Sequence, residues 1–189
     1  MIRKAKLGDV KEIQRLIKLY SARGEILPRS LSDLYDNLRD FFVYVRNRKI
    51  AGVCALHICW ENLAEIRSLV VQEEVRKRGI GVKLVKACLD EVDSLGVEKV
   101  FALTYQPAFF EKMGFRKVDK SVLPQKIWTD CLQCVKFPDC TEIARNSVIP
   151  GAFRVARRLL SSAHHPQEQS ERWRISNAGP AESSNASTR

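Results

Sequence analysis

At 189 residues and 45% apolar composition, the chain is long and apolar enough to bury one core with room for an appendage, which excludes an all-polar disordered protein. A net charge of +10 suits an anionic ligand such as a nucleotide cofactor or nucleic acid, yet no stripe of cations interleaved with aromatics argues for the latter. The longest apolar stretch, Ile50 to Trp60, is about half a membrane span and contains His57, and no apolar signal core surrounds Ile2-Arg3-Lys4-Ala5, so a cytoplasmic protein with six reduced cysteines is expected.

Ile2 to Ala5 reads as a first strand. Asp9 then caps a helix that carries Val10, Ile13, Leu16, Ile17 and Tyr20 on one face. The connector Ser21 to Arg29 holds Gly24 and Pro28, which keep it from regular helix. Ser30 with Asp33 resembles a capping box for a second helix using Leu31, Leu34, Tyr35, Leu38 and Phe41. A strand from Phe42 to Arg46 follows, then a turn at Asn47 to Lys49. A long strand (Ile50 to Trp60) turns at Glu61-Asn62 into a third, Ala64 to Val71. Gly79 to Leu95 is an amphipathic helix stopped by Gly96. Lys99 to Thr104 is a strand, Pro107 to Met113 a short helix ended by Gly114, and Phe115 to Val118 a last strand.

This order predicts an α+β fold, a mixed and mainly antiparallel sheet with helices on both faces. Beyond about Ala144 the pattern fails. The last 45 residues hold seven Arg, no Lys and three Glu, a net +4, and are rich in Ser, Ala, Asn and Gln. They read as a disordered tail. Phe153 to Leu160 offers a short basic helix, for which solvation is favoured over a membrane contact.

The run Arg76-Lys77-Arg78-Gly79-Ile80-Gly81 lies between the strand ending at Val71 and the next helix. Two glycines permit a tight turn and close backbone approach, and a helix N-terminus with added cations favours a pyrophosphate. Gly79 as a simple cap with solvated cations is the plainer alternative.

The stretch Leu69 to Gly81 resembles the acetyl-CoA motif of the GNAT superfamily of N-acetyltransferases, whose core is Arg/Gln-x-x-Gly-x-Gly/Ala after a strand. Phe109-Phe-Glu-Lys-Met-Gly-Phe115 is similar to its second motif. The likeness covers residues 1–125, followed by a Cys-containing flap at 126–144 and the basic tail at 145–189. Arg23 to Arg29, Ala64 to Val71, Phe101 to Thr104 and Lys126 to Cys134 also resemble the short stand-alone N-acetylglutamate synthases, which acetylate L-glutamate at the start of arginine biosynthesis. The resemblance implies acetyl-CoA as donor and a small-molecule acceptor, without nucleic acid, membrane or metal, and leaves a homodimer open.

It further implies that the donor wedges between splayed parallel strands, Ala64–Val71 and Lys99–Thr104. Backbone groups of Leu69, Val70 and Val71 would line the pantetheine arm and polarise the thioester. Arg76, Lys77, Arg78, Gly79, Ile80 and Gly81 would hold the pyrophosphate. Glu65 and Arg67 project from one strand face. Glu65 matches the general base of the synthases, while Arg67 and Arg29 are candidates to grip carboxylates. A structural Glu65–Arg67 ion pair is the alternative. Phe110 replaces the tyrosine that often serves as acid in this superfamily. Thr104, which matches a serine given this role, and Tyr105 are the remaining hydroxyls, and Thr104 alternatively satisfies a strand end.

Cys131, Cys134 and Cys140 resemble an incomplete zinc site, with free thiols favoured. Cys54, Cys59 and Cys88 read as core residues, His57 as a satisfied interior histidine, and Trp60 and Trp128 as packing or pocket walls. The function expected is acetyl-CoA-dependent N-acetylation of an amino acid. Its rivals are acetylation of glutamine, a polyamine or a protein amine, and a non-catalytic acyl-CoA sensor.

Overall fold

The long apolar run of residues 49–60 has no polar face for a surface helix to turn to solvent, and it becomes an interior strand of a seven-stranded sheet. In the computed structural model, residues 1–119, 121, 123 and 143–148 are described, all within the unit Met1–Phe153. The strands are β1 (Ile2–Lys4), β2 (Phe41–Arg46), β3 (Lys49–Trp60), β4 (Leu63–Val71), β5 (Lys99–Thr104), β6 (Arg116–Lys117) and β7 (Ile143–Val148). Their spatial order is β1-β2-β3-β4-β5-β7-β6. Every neighbouring pair is antiparallel except β4 and β5, which run parallel. The β2–β3 hairpin turns on Asn47 and Arg48, both at positive φ, as a two-residue hairpin turn with right-handed twist requires.

Helices cover both faces. On one, α1 (Val10–Ser21) buries its predicted stripe of Val10, Ile13, Leu16, Ile17 and Tyr20 against Val43, Val53, Ala55 and Val70. On the other, α3 (Ile80–Leu95) sets Leu84, Val85, Cys88 and Val92 against Cys54, Leu56, Ala64 and Ile66. Its stop is the expected one: Gly96, at φ 71, donates to the carbonyls of Val92 and Asp93. The fold class read from the sequence is thus observed.

Three local expectations are corrected. The second helix, α2, spans only Leu31–Asp36; Ser30 Oγ accepts from the Asp33 N–H at 3.0 Å, but Asn37 turns its amide onto the Asp33 carbonyl at 2.9 Å and ends the helix. Leu38 belongs to a 3-10 turn (Leu38–Asp40), and Phe41 opens β2. Asp9 makes no side-chain cap bond to α1. It accepts instead from the Lys6 N–H at 2.7 Å and from Arg3 at 2.6 and 3.0 Å. Finally, the sheet draws on residues beyond the expected limit near 125, because β7 inserts between β5 and β6 where the tail was expected to be irregular. Residues 126–142 and 149–189, including Cys131, Cys134, Cys140, Trp128 and Phe153 to Leu160, lie outside the described residues.

β7 escapes a sequence reading because its β-branched residues, Ile143 and Val148, stand only at its ends, with Ala144-Arg-Asn-Ser147 between them showing no alternation. Arg145 is nonetheless 7% exposed. Its guanidinium pairs with Glu111 of α4 (Pro107–Glu111) at 2.7 Å, so the buried charge is compensated.

Candidate active site

β4 and β5 pair only at Leu63–Lys99, Ala64–Val100 and Glu65–Phe101. Beyond that point β5 stays paired with β7 along its whole length, so β4 alone diverges. The expected splay is therefore present. Register supplies a cause: Gly52 and Val53 face Val71 and Val70, whereas Ala55 faces Arg67, so β4 carries one extra residue near Ser68. Ser68 has φ 54, a left-handed conformation that few non-glycine residues adopt. The bulge resets which side chains face which core. Ile66, Leu69 and Val71 pack on the α3 side, and Val70 on the α1 side.

The bulge also aims backbone into the gap. Gln72 N–H donates to the Ala51 carbonyl at 2.9 Å, which makes Gly52–Val71 the non-hydrogen-bonded pair of the ladder. Val71 therefore turns its own N–H and carbonyl away from β3, towards the cleft.

A cavity of about 670 Å³ fills this gap. Its wall brings together Arg29, Glu65, Arg67, Leu69, Val70, Val71, Arg76, Lys77, Gly79, Ile80, Gly81 and Thr104. Arg78 is exposed and does not line it. Tyr20, Glu25, Tyr105, Phe109, Phe110 and Lys112 line it as well.

At one end, Lys77 (φ 61) and Gly79 (φ 73) both take left-handed backbone, and α3 begins with no side-chain cap. The first intrahelical bond runs from Lys83 N–H to the Gly79 carbonyl, so the first-turn amides have no partner within the helix. Such a nest of amides at a helix N-terminus, with Lys77 beside it, fits a pyrophosphate. Gly81 lies against Phe109, whose ring carbons are 3.4 Å from where a Cβ would sit.

Arg76 does something the sequence did not suggest. Its Nε donates to the Val71 carbonyl at 3.0 Å, and a terminal nitrogen donates to Glu25 at 2.9 Å. The guanidinium also stacks over Tyr20 at 4.9 Å. Burial works against its charge, but Glu25, Tyr20 and Glu73 outweigh that and raise its pKa. The side chain thus ties the phosphate loop to β4 and to the connector that carries Arg29.

Glu65 and Arg67 of β4 line the same cavity. The Arg67 side chain is 8% exposed, with the Asp40 carboxylate 3.8 Å away. His57, directly opposite Glu65 in the ladder, donates from Nδ1 to the same carboxylate oxygen at 2.7 Å. His57 is therefore satisfied, as expected, but Asp40 is a residue that sequence reasoning missed. Arg29 pairs with Asp33 at 3.6 Å.

Thr104 Oγ accepts from the Gln106 N–H at 2.9 Å, the strand-end role considered for it, and keeps its own proton. Phe110 packs edge-on against Phe109 and Phe115, with ring centroids 5.2 Å apart in both pairs. It is a core residue with no proton to supply. Cys54 and Cys88 are fully buried with sulfurs 3.6 Å apart, and this contact together with burial pushes the Cys54 thiol up. Among the described residues, no His, Cys, Asp and Glu side chains are grouped to hold a metal ion, and no helix is long and apolar enough to cross a membrane.

Known proteins are similar to this chain in sequence and fold. The acetyltransferase (GNAT) family matches residues 10–115. An uncharacterized N-acetyltransferase of Chlorobaculum tepidum is 41% identical over 143 residues, covering 76% of this chain and 92% of its own length. An amino-acid acetyltransferase of Mycobacterium tuberculosis is 29% identical over 163 residues, covering 85% and 93%. The solved structure of Rv2747 from M. tuberculosis, in complex with CoA, superimposes with a TM-score of 0.66 at 26% identity over 79% of this chain and 99% of that one. The N-acetylglutamate synthase of Neisseria gonorrhoeae, complexed with coenzyme A and N-acetyl-glutamate, gives 0.71 at 23% identity, over 78% of this chain but 34% of that one. With its splayed strands, its amide nest and these relatives, the chain belongs to the GNAT family and is an acetyl-CoA-dependent N-acetyltransferase.

Proposed function

We propose that the acceptor is the α-amine of an amino acid carrying a side-chain carboxylate, L-glutamate first, which makes the chain a cytoplasmic N-acetylglutamate synthase serving arginine biosynthesis. One observation carries this reading: Arg29, Arg67 and Glu65 share a single cavity with the phosphate loop. Two guanidiniums suit the two carboxylates of such a substrate, each by paired hydrogen bonds, and repel a polyamine. The amino-acid acetyltransferase relatives support the same class.

Acetyl-CoA supplies an acetyl group activated as a thioester. Arg67 and Arg29 hold the acceptor so that its amine faces that group. Glu65, directly or through one water, takes the proton the amine must lose to attack the carbonyl carbon. The Val71 N–H, turned away from β3, would polarise the thioester carbonyl, where losing one such donor typically costs ~3 kcal/mol. As the carbon–sulfur bond breaks, the electron pair goes to sulfur, which either takes a proton from Thr104 or water or leaves as the thiolate without an acid.

The buried, non-ionisable Phe110 favours a second reading, an acyl-CoA sensor, which predicts binding without turnover on any amine. Free-thiol release from acetyl-CoA, measured with each proteinogenic amino acid, glutamate analogues and a polyamine, tests the assignment. L-glutamate is expected to give the highest kcat/KM. A polyamine or neutral acceptor that outruns every dicarboxylic one overturns it.

A further inference from the structure

Asp40 ends the 3-10 turn Leu38–Asp40, just before β2, far in sequence from the cavity wall. The fold brings it to the back of that wall. One oxygen, Oδ2, accepts from His57 Nδ1 at 2.7 Å and lies 3.8 Å from a terminal nitrogen of Arg67. Asp40 is 22% exposed and His57 32%, while neither lines the cavity; Arg67 does. The geometry points to Asp40 and His57 as a positioning pair that aims the Arg67 guanidinium at the acceptor's carboxylate, an assignment that rests on the carboxylate-bearing acceptor proposed above.

A guanidinium on a long, flexible stem binds a carboxylate well only when its planar fork is already turned to it. Arg67 is almost fully buried, so its charge needs an anion nearby, and Asp40 supplies one from the side. An ionised carboxylate can only accept, so the His57 Nδ1–H in turn fixes Asp40. His57 is anchored in β3 in register with Glu65, two residues before Arg67 on β4, so the Asp40 carboxylate is held from the strand next to the one that carries Arg67.

Charge alone predicts the opposite outcome to positioning, which makes the pair testable. Replacing Asp40 by Asn removes a negative charge from beside Arg67. Were Asp40 only a counter-ion, the pocket would become more positive and the acceptor KM would fall. Positioning predicts that Asp40→Asn raises the KM of the dicarboxylic acceptor about tenfold, leaving the acetyl-CoA KM unchanged. His57→Ala should raise it by a smaller factor, and His57→Gln, which keeps a donor, should restore most of the loss. In an Arg67→Ala background, Asp40→Asn should add nothing further. An acceptor KM that is unmoved or lowered in Asp40→Asn, or an effect that persists undiminished without Arg67, overturns the positioning role. If Arg67→Ala itself leaves the acceptor KM unchanged, the carboxylate grip fails and the positioning role falls with it. Should Asp40→Asn not fold, the His57→Ala and His57→Gln pair decides alone: equal KM values in both and in the parent overturn it.

Discussion

The Nε of Arg76 hydrogen-bonds the carbonyl oxygen of Val71 at 3.0 Å, closing the loop before α3 back onto the end of β4 that lines the cavity. The same side chain reaches Glu25 of the connector that carries Arg29, so the loop before α3, the end of β4 and the connector share one clamp. Arg76→Ala is therefore expected to raise the KM for acetyl-CoA and for the amine together, several-fold each. Lys77→Ala should raise only the acetyl-CoA KM, and its effect should shrink with added salt, because the contact is an exposed charge on an anion. Two KM values at two ionic strengths check both statements. A rise confined to acetyl-CoA in Arg76→Ala excludes the clamp.

Gly79 and Gly81 differ in what an added methyl would meet. Gly79 sits at φ 73 with nothing within 4 Å of a Cβ, so alanine there has space but a strained backbone. Gly79→Ala should lower stability by ~1 kcal/mol. Gly81 takes ordinary backbone within α3, and a Cβ would touch Phe109 at 3.4 Å and Val71 at 3.9 Å, normal contact distances. Gly81→Ala should leave stability equal or raised by up to ~1 kcal/mol through helix propensity. Urea midpoints that fall alike for both variants contradict the distinction.

The Arg3–Asp9 pair gives the fold a pH signature. Arg3's hydrogen bond, then the Lys6 N–H, hold the Asp9 carboxyl below its ordinary range despite partial burial. A carboxyl lowered on folding stabilises while ionised, above its unfolded value of about 3.9, and that contribution vanishes as pH falls through the folded value. Asp9→Asn should thus be less stable than the parent by ~1–2 kcal/mol at neutral pH, with the gap closing below about pH 4. A gap constant from neutral to strongly acidic pH would mean that Asp9 acts by shape alone.

Residues whose role is set by local pattern were legible in the chain. The five apolar positions of α1 are buried as spaced, Gly79 stands at a tight turn and Gly96 at the helix stop expected of them, both with positive φ, and most of the expected cofactor positions line one cavity. What escaped depends on long-range pairing. Nothing local in Ala144-Arg-Asn-Ser147 announces a strand between β5 and β6, and burial of Arg145 makes sense only once Glu111 is opposite. Asp40 comes beside Arg67 and His57 only through the β2–β3–β4 register. Arg76 looked like a phosphate ligand because it stands in a cationic run, yet Glu25 and Val71 had claims on it that spacing could not reveal.

Thr104 has one structural bond to lose and one chemical role to test. Its Oγ accepts from Gln106 N–H at 2.9 Å, and Thr104→Val would leave that donor unpaired at a cost of ~1–2 kcal/mol. Thr104→Ser should restore the bond. If the hydroxyl proton also passes to the leaving sulfur, kcat should fall by up to about tenfold in the valine variant and recover in serine, since general acid help to a good leaving group is small. A stability loss with kcat unchanged would confine Thr104 to ending the strand.

Glu65 carries the sharpest expectation, because it shares a β4 face and a cavity with Arg67 while facing His57 across the ladder. Glu65→Gln keeps the size and hydrogen-bonding capacity of the side chain but cannot take a proton. As general base, Glu65 should be worth about 10²–10⁴ in kcat, with the acetyl-CoA KM unaffected and the pH dependence of kcat displaced. Were Glu65 merely the ion-pair partner of Arg67, the substitution would instead raise the acceptor KM at nearly constant kcat. Steady-state profiles of parent and variant against pH separate these outcomes, and turnover equal to the parent's at every pH removes Glu65 as the base.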